Sequence, residues 1–334
     1  MAPPRIGLTV SWENPSLETM LRAVRLADEC GFEAFFVPEA WGREAWVLLG
    51  YLAAQTQRIH LGTGIVNVYS RSAAVLAMAA ATLDDLSGGR ALLGLGSSGK
   101  GVIEGWHGVP MEKPMERLRD YVAIVRKILR HDHSRYEGET VSLAPGFALR
   151  FRPPRPAIPI YLANLTPGGI RLAGEMADGW MPFLTSPESL ASDVAALQQG
   201  LDRAGRARSD VTVAPYILCS LHDDLETARR PARELIAFYI GGMGRYYYET
   251  ISRHGFASAA DHIRELWAAR RRTEAEAAVP DELVDAVCIC GPTERCRTRM
   301  EAYRQAGADM PIVSLPQGAT LEQAEAVVRA LAPG

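Results

Sequence analysis

Two glycines, two serines and a third glycine stand together in Gly94-Leu95-Gly96-Ser97-Ser98-Gly99, directly after an apolar run of strand length. On paper this matches the dinucleotide fingerprint G-x-G-x-x-G, which seats a pyrophosphate on a helix N-terminus. That fingerprint belongs at the first strand, with a helix opening at once and an acid about 20 residues further on. Here it follows the fourth apolar run, and Gly101 delays the next helix. A nicotinamide site is therefore not expected. The segment still offers backbone N–H groups and hydroxyls without bulky side chains, which suits a phosphate or an extended cofactor tail; a plain tight turn is the alternative.

Four other clusters have side chains that could do chemistry. Asn164-Leu165-Thr166-Pro167-Gly168-Gly169 precedes a helical stretch. Free N–H groups and the helix dipole there favour an anion, although Thr166 also reads as an ordinary N-cap. Leu61-Gly62-Thr63-Gly64-Ile65 puts two glycines inside a strand, where they mark a bulge, a close backbone approach or tight packing. In Pro38-Glu39-Ala40-Trp41, Glu39 reads either as a proton carrier or as a salt-bridge partner, and Trp41 as the wall of an apolar pocket. His107, in a loop after the fourth strand, reads as a general acid, a hydrogen-bonding pocket residue or an ordinary loop histidine. His131 and His133 lack a third ligand, so no metal site is expected.

Strand-length apolar runs alternate with amphipathic stretches that must position these groups. Strands are expected at 5–11, 34–38, 59–66, 91–96, 159–163, 179–182, 212–221 and 311–314. Helices are expected at 16–30, 44–55, 72–86, 115–130, 167–176, 187–204, 224–240, 258–272, 296–305 and 321–331, with Ser258 as an N-cap. The rhythm breaks at 131–156, a small β excursion, and at 241–256, which holds Tyr246, Tyr247 and Tyr248. Eight alternating units predict a single (βα)8 TIM barrel with insertions across 1–334; an open doubly wound sheet is the alternative. In such a barrel, chemistry sits where strands end and βα loops begin, which is where these clusters lie.

Composition narrows the function classes. Hydrophobic residues make up 48% and charged residues 22%, so disorder is not expected. A net charge of −3 gives no footprint for nucleic acid. No apolar run reaches the ~18 residues of a membrane span, and the N-terminus lacks the pattern of a signal peptide. The five cysteines include no C-x-x-C, which points to a reducing, cytoplasmic setting. Cys288 and Cys290 alternate in an apolar run and read as a buried pair of small hydrophobes rather than a redox or metal pair.

Taken in order, several segments resemble the luciferase-like monooxygenase superfamily of barrel enzymes, most closely its coenzyme F420-dependent oxidoreductase branch. They are FVPEAWG (36–42), LGTGIVNV (61–68), TLDDLSGGR (82–90), LGLGSSG (93–99), EGWHG (104–108), LAGEMADGW (172–180) and AVPDELVDA (278–286). The resemblance implies a deazaflavin, coenzyme F420, with FMN as the alternative, and hydride transfer to or from a small or medium organic substrate. It implies a cis peptide at Gly64–Ile65 backing the ring, with Glu39 and Ala40 beside it. Gly96, Ser97, Ser98 and Gly99, with Asn164, Leu165 and Thr166, would surround the cofactor's side chain and phosphate. Glu39 and His107 are the proton-donor candidates, since alanine stands at position 40 where some relatives carry histidine. An insertion at 241–286 would cover the mouth, with Trp41, Trp106, Tyr246, Tyr247 and Tyr248 shaping a substrate pocket. The expected partners are a small-molecule substrate and a second copy of the chain as homodimer, with no nucleic acid and no membrane. A non-catalytic ligand-binding barrel is the rival of a different class.

Overall fold

The computed structural model describes residues 4–11 and 16–333. Its main sheet is parallel and curled. In chain order the strands are β1 (Gly7–Thr9), β2 (Ala34–Val37), β3 (His60–Thr63), β4 (Val66–Asn67), β5 (Ala91–Gly96), β6 (Tyr136–Glu137), β7 (Ser142–Leu143), β8 (Ile160–Leu162), β9 (Gly179–Trp180), β10 (Thr212–Val213), β11 (Tyr216–Leu221), β12 (Ile289–Gly291) and β13 (Ile312–Ser314). The sheet runs β10-β9-β8-β5-β3-β2-β1-β13-β11-β12, with β4 beside β5. β10 and β11 are successive pieces of the run 212–221. One piece pairs with β9, Thr212 opposite Gly179, and the other with β13, Tyr216 opposite Ile312. The sheet thus curls until its two flanks meet on one stretch of chain. All six residues of β5 are buried, as expected for a parallel strand covered on both faces.

Between the strands run α1 (Leu17–Glu29), α2 (Ala45–Ala53), α3 (Ala73–Leu86), α4 (Pro114–Leu129), α5 (Pro167–Met176), α6 (Pro187–Ala204), α7 (Leu225–Gly242), α8 (Arg245–Ile251), α9 (Ala257–Ala268), α10 (Arg272–Ala277), α11 (Asp281–Val287), α12 (Thr293–Gln305) and α13 (Leu321–Leu331). Local chemistry sets their ends. On α3, Ser72 Oγ accepts from Val75 N at 3.2 Å, and Gly88 and Gly89 leave the helix at φ +66° and +88°. No helix among the described residues is long and apolar enough to cross a membrane.

Three apolar clusters result. The largest lies between the sheet and its helices. A small one inside the curl includes Phe36, Leu92, Tyr161, Met181 and Ile312. The third lies under α7–α11 and includes Leu218, Ile236, Ile263 and Leu283. The 241–256 segment, expected to break the pattern, is largely helical: α7 continues through Gly242, and α8 passes into a π-helical turn at Ser252–Phe256. Ser258 is not a cap, because that turn feeds α9 from Ala257 onward without a side-chain cap. The expected strand 59–66 is split in two at residues 64–65, and β12, with only three residues, went unread as a strand. Cys288 and Cys290, at 2% and 4% exposure, are the buried small hydrophobes the alternation suggested.

The 131–156 excursion contains the antiparallel pair β6–β7. Asp120 of α4 pins it. Its carboxylate accepts from Thr140 N and Oγ1 at 2.7 Å each, Tyr136 Oη at 2.9 Å and Val141 N at 3.1 Å. Burial pushes the Asp120 carboxyl up, but these donors together outweigh it and hold the group below its ordinary value. The linkage has a definite sign. The stabilisation is complete above the unfolded carboxylate pKa and fades as pH falls through the depressed folded value. Asp120→Ala is expected to cost about 3 kcal/mol, since several hydrogen bonds to one charge are lost together. Urea titrations at neutral and acid pH would show this, with the difference between parent and variant shrinking in acid.

Candidate active site

A cavity of about 300 Å³ opens where the parallel strands end. Its wall is assembled from short segments that each follow a strand. β2 leads into Pro38, Glu39 and Ala40, β5 into Ser97, Ser98 and Gly99, and β8 into Ala163, Asn164, Leu165 and Thr166. Gly64 and Ile65 protrude between β3 and β4. Every residue expected to hold a cofactor lines this one cavity: Glu39, Ala40, Gly64, Ile65, Gly96, Ser97, Ser98, Gly99, Asn164, Leu165 and Thr166.

The glycines have identifiable causes. The Gly64–Ile65 peptide is cis. A Cβ on Gly64 would lie 1.7 Å from Tyr216 Oη and 2.9 Å from Phe36 Cβ, so only glycine fits behind the protrusion. A Cβ on Gly94 would lie 2.0 Å from Thr63 O, and one on Gly96 would lie 3.1 Å from Ile65 Cδ1. The first two glycines of the dinucleotide-like motif therefore answer the neighbouring strand and bulge. Thr63 Oγ1 donates to Gly94 O at 2.8 Å and accepts from Gly94 N at 2.9 Å, which locks the two segments together.

Glu39 lines the cavity, but its carboxylate is engaged elsewhere. Arg71 Nη1 donates to Oε1 at 2.6 Å and Nη2 to Oε2 at 2.9 Å, while Ala45 N donates to Oε2 at 2.9 Å. The backbone N of Glu39 also donates to Ile65 O at 3.3 Å. Of the two roles open in the sequence, the salt bridge is the one observed. The π-helical turn Gly101–Trp106 ends at His107, and Asn67 Nδ2 donates to its Nε2 at 3.1 Å. His107 sits outside the cavity wall, tied to the last residue of β4.

Thr166 caps α5, its Oγ1 accepting from Gly169 N at 3.2 Å, and Asn164 Nδ2 donates to Gly169 O at 3.1 Å. Trp180 Nε1 donates to Asn164 O at 2.9 Å, so a fully buried indole fixes this loop. Tyr246 and Tyr247 line the cavity as expected; Tyr248 does not. Its hydroxyl donates to Asp261 at 2.6 Å, and the Arg264 guanidinium stacks 4.2 Å from its ring centre. Successive helical side chains project about 100° apart, so three neighbouring tyrosines cannot face one cavity. Burial pushes the Tyr247 hydroxyl up to about 12. Trp41 and Trp106 line an adjoining groove instead of the cavity.

Sequence reasoning missed several wall residues. Phe183 and Tyr239, both unread, join the expected Tyr247 in an edge-to-face trio, with centroids 4.8 Å apart for Phe183–Tyr239 and 4.6 Å for Tyr239–Tyr247. Met115, Met181 and Met243 add soft apolar surface. Arg71 was also missed. Its one signal was a lone arginine after the third strand, on the side where the loops carry chemistry.

Known proteins match this architecture. A family model described as luciferase-like monooxygenase matches residues 1–310. A Mycobacterium tuberculosis protein, provisionally named a coenzyme F420-dependent oxidoreductase, is 34% identical over 328 residues, covering 93% of this chain and 94% of its own. The 5,10-methylenetetrahydromethanopterin reductase of Archaeoglobus fulgidus is 30% identical over 306 residues, covering 88% and 89%. The solved structure of the coenzyme F420-dependent tetrahydromethanopterin reductase from Methanopyrus kandleri superposes with a TM-score of 0.87 over 99% of both chains at 24% identity, a likeness in fold. A cavity at the strand ends, backed by a bulge that only glycine permits, thus coincides with a family match over nearly the whole length, and the chain belongs to the luciferase-like monooxygenase family.

Proposed function

We propose that this protein is a coenzyme F420-dependent oxidoreductase, acting as a reductase, that transfers a hydride between the deazaflavin C5 and a small or medium organic substrate. The observation that carries the reading is the convergence of the β2, β3–β4, β5 and β8 loops on one cavity around Gly64–Ile65. The relatives named for coenzyme F420 support the choice of cofactor. In this reading the curled sheet is a complete eight-stranded barrel, and the 241–286 insertion forms the cover over its mouth.

The residues present fit the group. Ile65, Ala40 and Gly64 offer a low apolar wall for a flat ring, and Ser97, Ser98 and Thr166 offer small polar side chains for a phosphate-bearing tail. When bound, the deazaflavin supplies the hydride chemistry; the protein supplies orientation and proton handling. Glu39 and Arg71 act as a brace that holds the loop after β2 against the bulge. The aromatic trio at the mouth keeps water from the reacting carbon. With the Glu39 carboxylate engaged and His107 outside the wall, proton delivery falls to the hydroxyls of the mouth. Tyr247, raised by burial, stays protonated through the neutral range and serves as a hydrogen-bond donor and not as a base.

Titrating the purified protein with coenzyme F420 and with FMN separates this reading from an FMN monooxygenase on the same fold. Saturable coenzyme F420 binding that FMN does not displace is the expected outcome. Tight FMN binding with no binding of the deazaflavin would overturn the proposal.

A further inference from the structure

Beside the cavity lies a second hollow of about 420 Å³, and the two share Gly99 and Met243 as a common wall. It is formed by the loop after β2, the π-helical turn after β5 and the end of α7. Trp41 and Trp106 stand on its edge with 40% and 63% of their surface exposed. Its floor includes Gly101 and Gly105, at which an added Cβ would meet no atom within 4 Å. Packing therefore does not require glycine at either position, and neither has a φ in the left-handed region. Glycine is unfavourable inside a helical turn, so two of them leave bare backbone where any other residue would fold better. No ionisable side chain lines the hollow among the described residues. The nearby charges of Lys100 and Glu104 face each other at 3.7 Å.

Two exposed indoles and bare glycine backbone line the same hollow, surfaces against which a flat object can lie, and the lack of charge selects a neutral one. We infer that this hollow is an outer subsite for the substrate, holding a planar, uncharged aromatic extension while the reacting carbon extends over the shared Gly99–Met243 rim into the cavity. The inference rests on the proposed function, because it takes the neighbouring cavity as the place of hydride transfer. It narrows the substrate to molecules longer than the cavity alone can hold, with a flat conjugated part distal to the reacting centre. Trp41 and Trp106 then act in specificity and not in the chemical step.

The test uses the full-length chain and two neutral ketones with the same carbon skeleton, 2-acetylnaphthalene, which is planar, and its saturated counterpart 2-acetyldecalin, which is not. Calorimetric titration is expected to show the planar ketone binding more tightly. Trp106→Ala and Gly101→Leu should each weaken it roughly 10-fold, the scale of a lost aromatic stack. Both positions are open to solvent, and coenzyme F420 binding to each variant should stay at the parent level, which reports that the fold is intact. Equal binding of the two ketones, or planar-ketone binding indifferent to both substitutions, would overturn the inference. Planar-ketone binding that depends on Trp106 in a protein that takes no coenzyme F420 would support the subsite and overturn the cofactor reading instead.

Discussion

Gly64→Ala is expected to weaken coenzyme F420 binding by roughly 100-fold, since overpacking of this kind costs about 3 kcal/mol. The new methyl would lie 1.7 Å from Tyr216 Oη and 3.0 Å from Tyr216 Cζ, with Phe36 Cβ at 2.9 Å on another side. None of these neighbours is the free end of a flexible chain. Phe36 is fully buried, and Tyr216 is held between β13 and the bridge to Phe183. The bulge must then move outward, into the space assigned to the ring. Fluorescence titration with coenzyme F420 and thermal melting would read the two consequences separately. Adding Tyr216→Phe removes the worst contact and should recover part of the loss. A Gly64→Ala protein that binds like the parent would show that the bulge does not back the cofactor.

Arg71→Ala is expected to lower stability by about 3 kcal/mol. The Glu39 side chain is 8% exposed, and without the guanidinium its carboxylate keeps only the Ala45 N–H. Arg71 also pairs with Glu44 and meets Ser70 Oγ at 3.1 Å, so the loops after β2 and β4 loosen together. The larger part of the cost is the uncompensated buried charge, not the lost attraction. The double variant Arg71→Ala/Glu39→Gln should therefore be more stable than Arg71→Ala alone. Urea denaturation of the four proteins in this cycle gives the coupling. If Arg71→Ala melts with the parent, Glu39 is not braced as described. Arg71→Lys should recover only part, because a point charge cannot span both oxygens of the carboxylate.

Much of the frame was legible because periodicity is local. Runs such as 91–96 and 72–86 carry their own pattern, and their ends carry their own caps and glycines. The cavity wall was legible for a related reason: its residues follow strand ends, and strand ends can be counted. Three tyrosines in a row could have been sorted by helical angle alone once 245–251 was read as helix. β12 was lost because it is only three residues long, ends in a glycine and follows α11 after a single residue, so the run reads as the tail of the helix.

The sequence by itself determined which segments become strands, which loops gather at their C-terminal ends, and that glycine was needed near residue 64. Only the tertiary structure decided where the functional side chains point. Arg71 reaches Glu39 across 32 residues, and His107 reaches Asn67 across 40. Those partners meet because β2, β3, β4 and β5 stand side by side in the sheet, and no local pattern encodes which strands will be neighbours. The curl of the sheet puts Tyr216 behind Gly64, so that of the bulge, close approach or tight packing open in the sequence, a glycine demanded by packing at the bulge is what results. The same neighbourhood gives Glu39 its bond to Arg71 and His107 its bond to Asn67, because a carboxylate or an imidazole bonds to whatever donor the fold brings within reach.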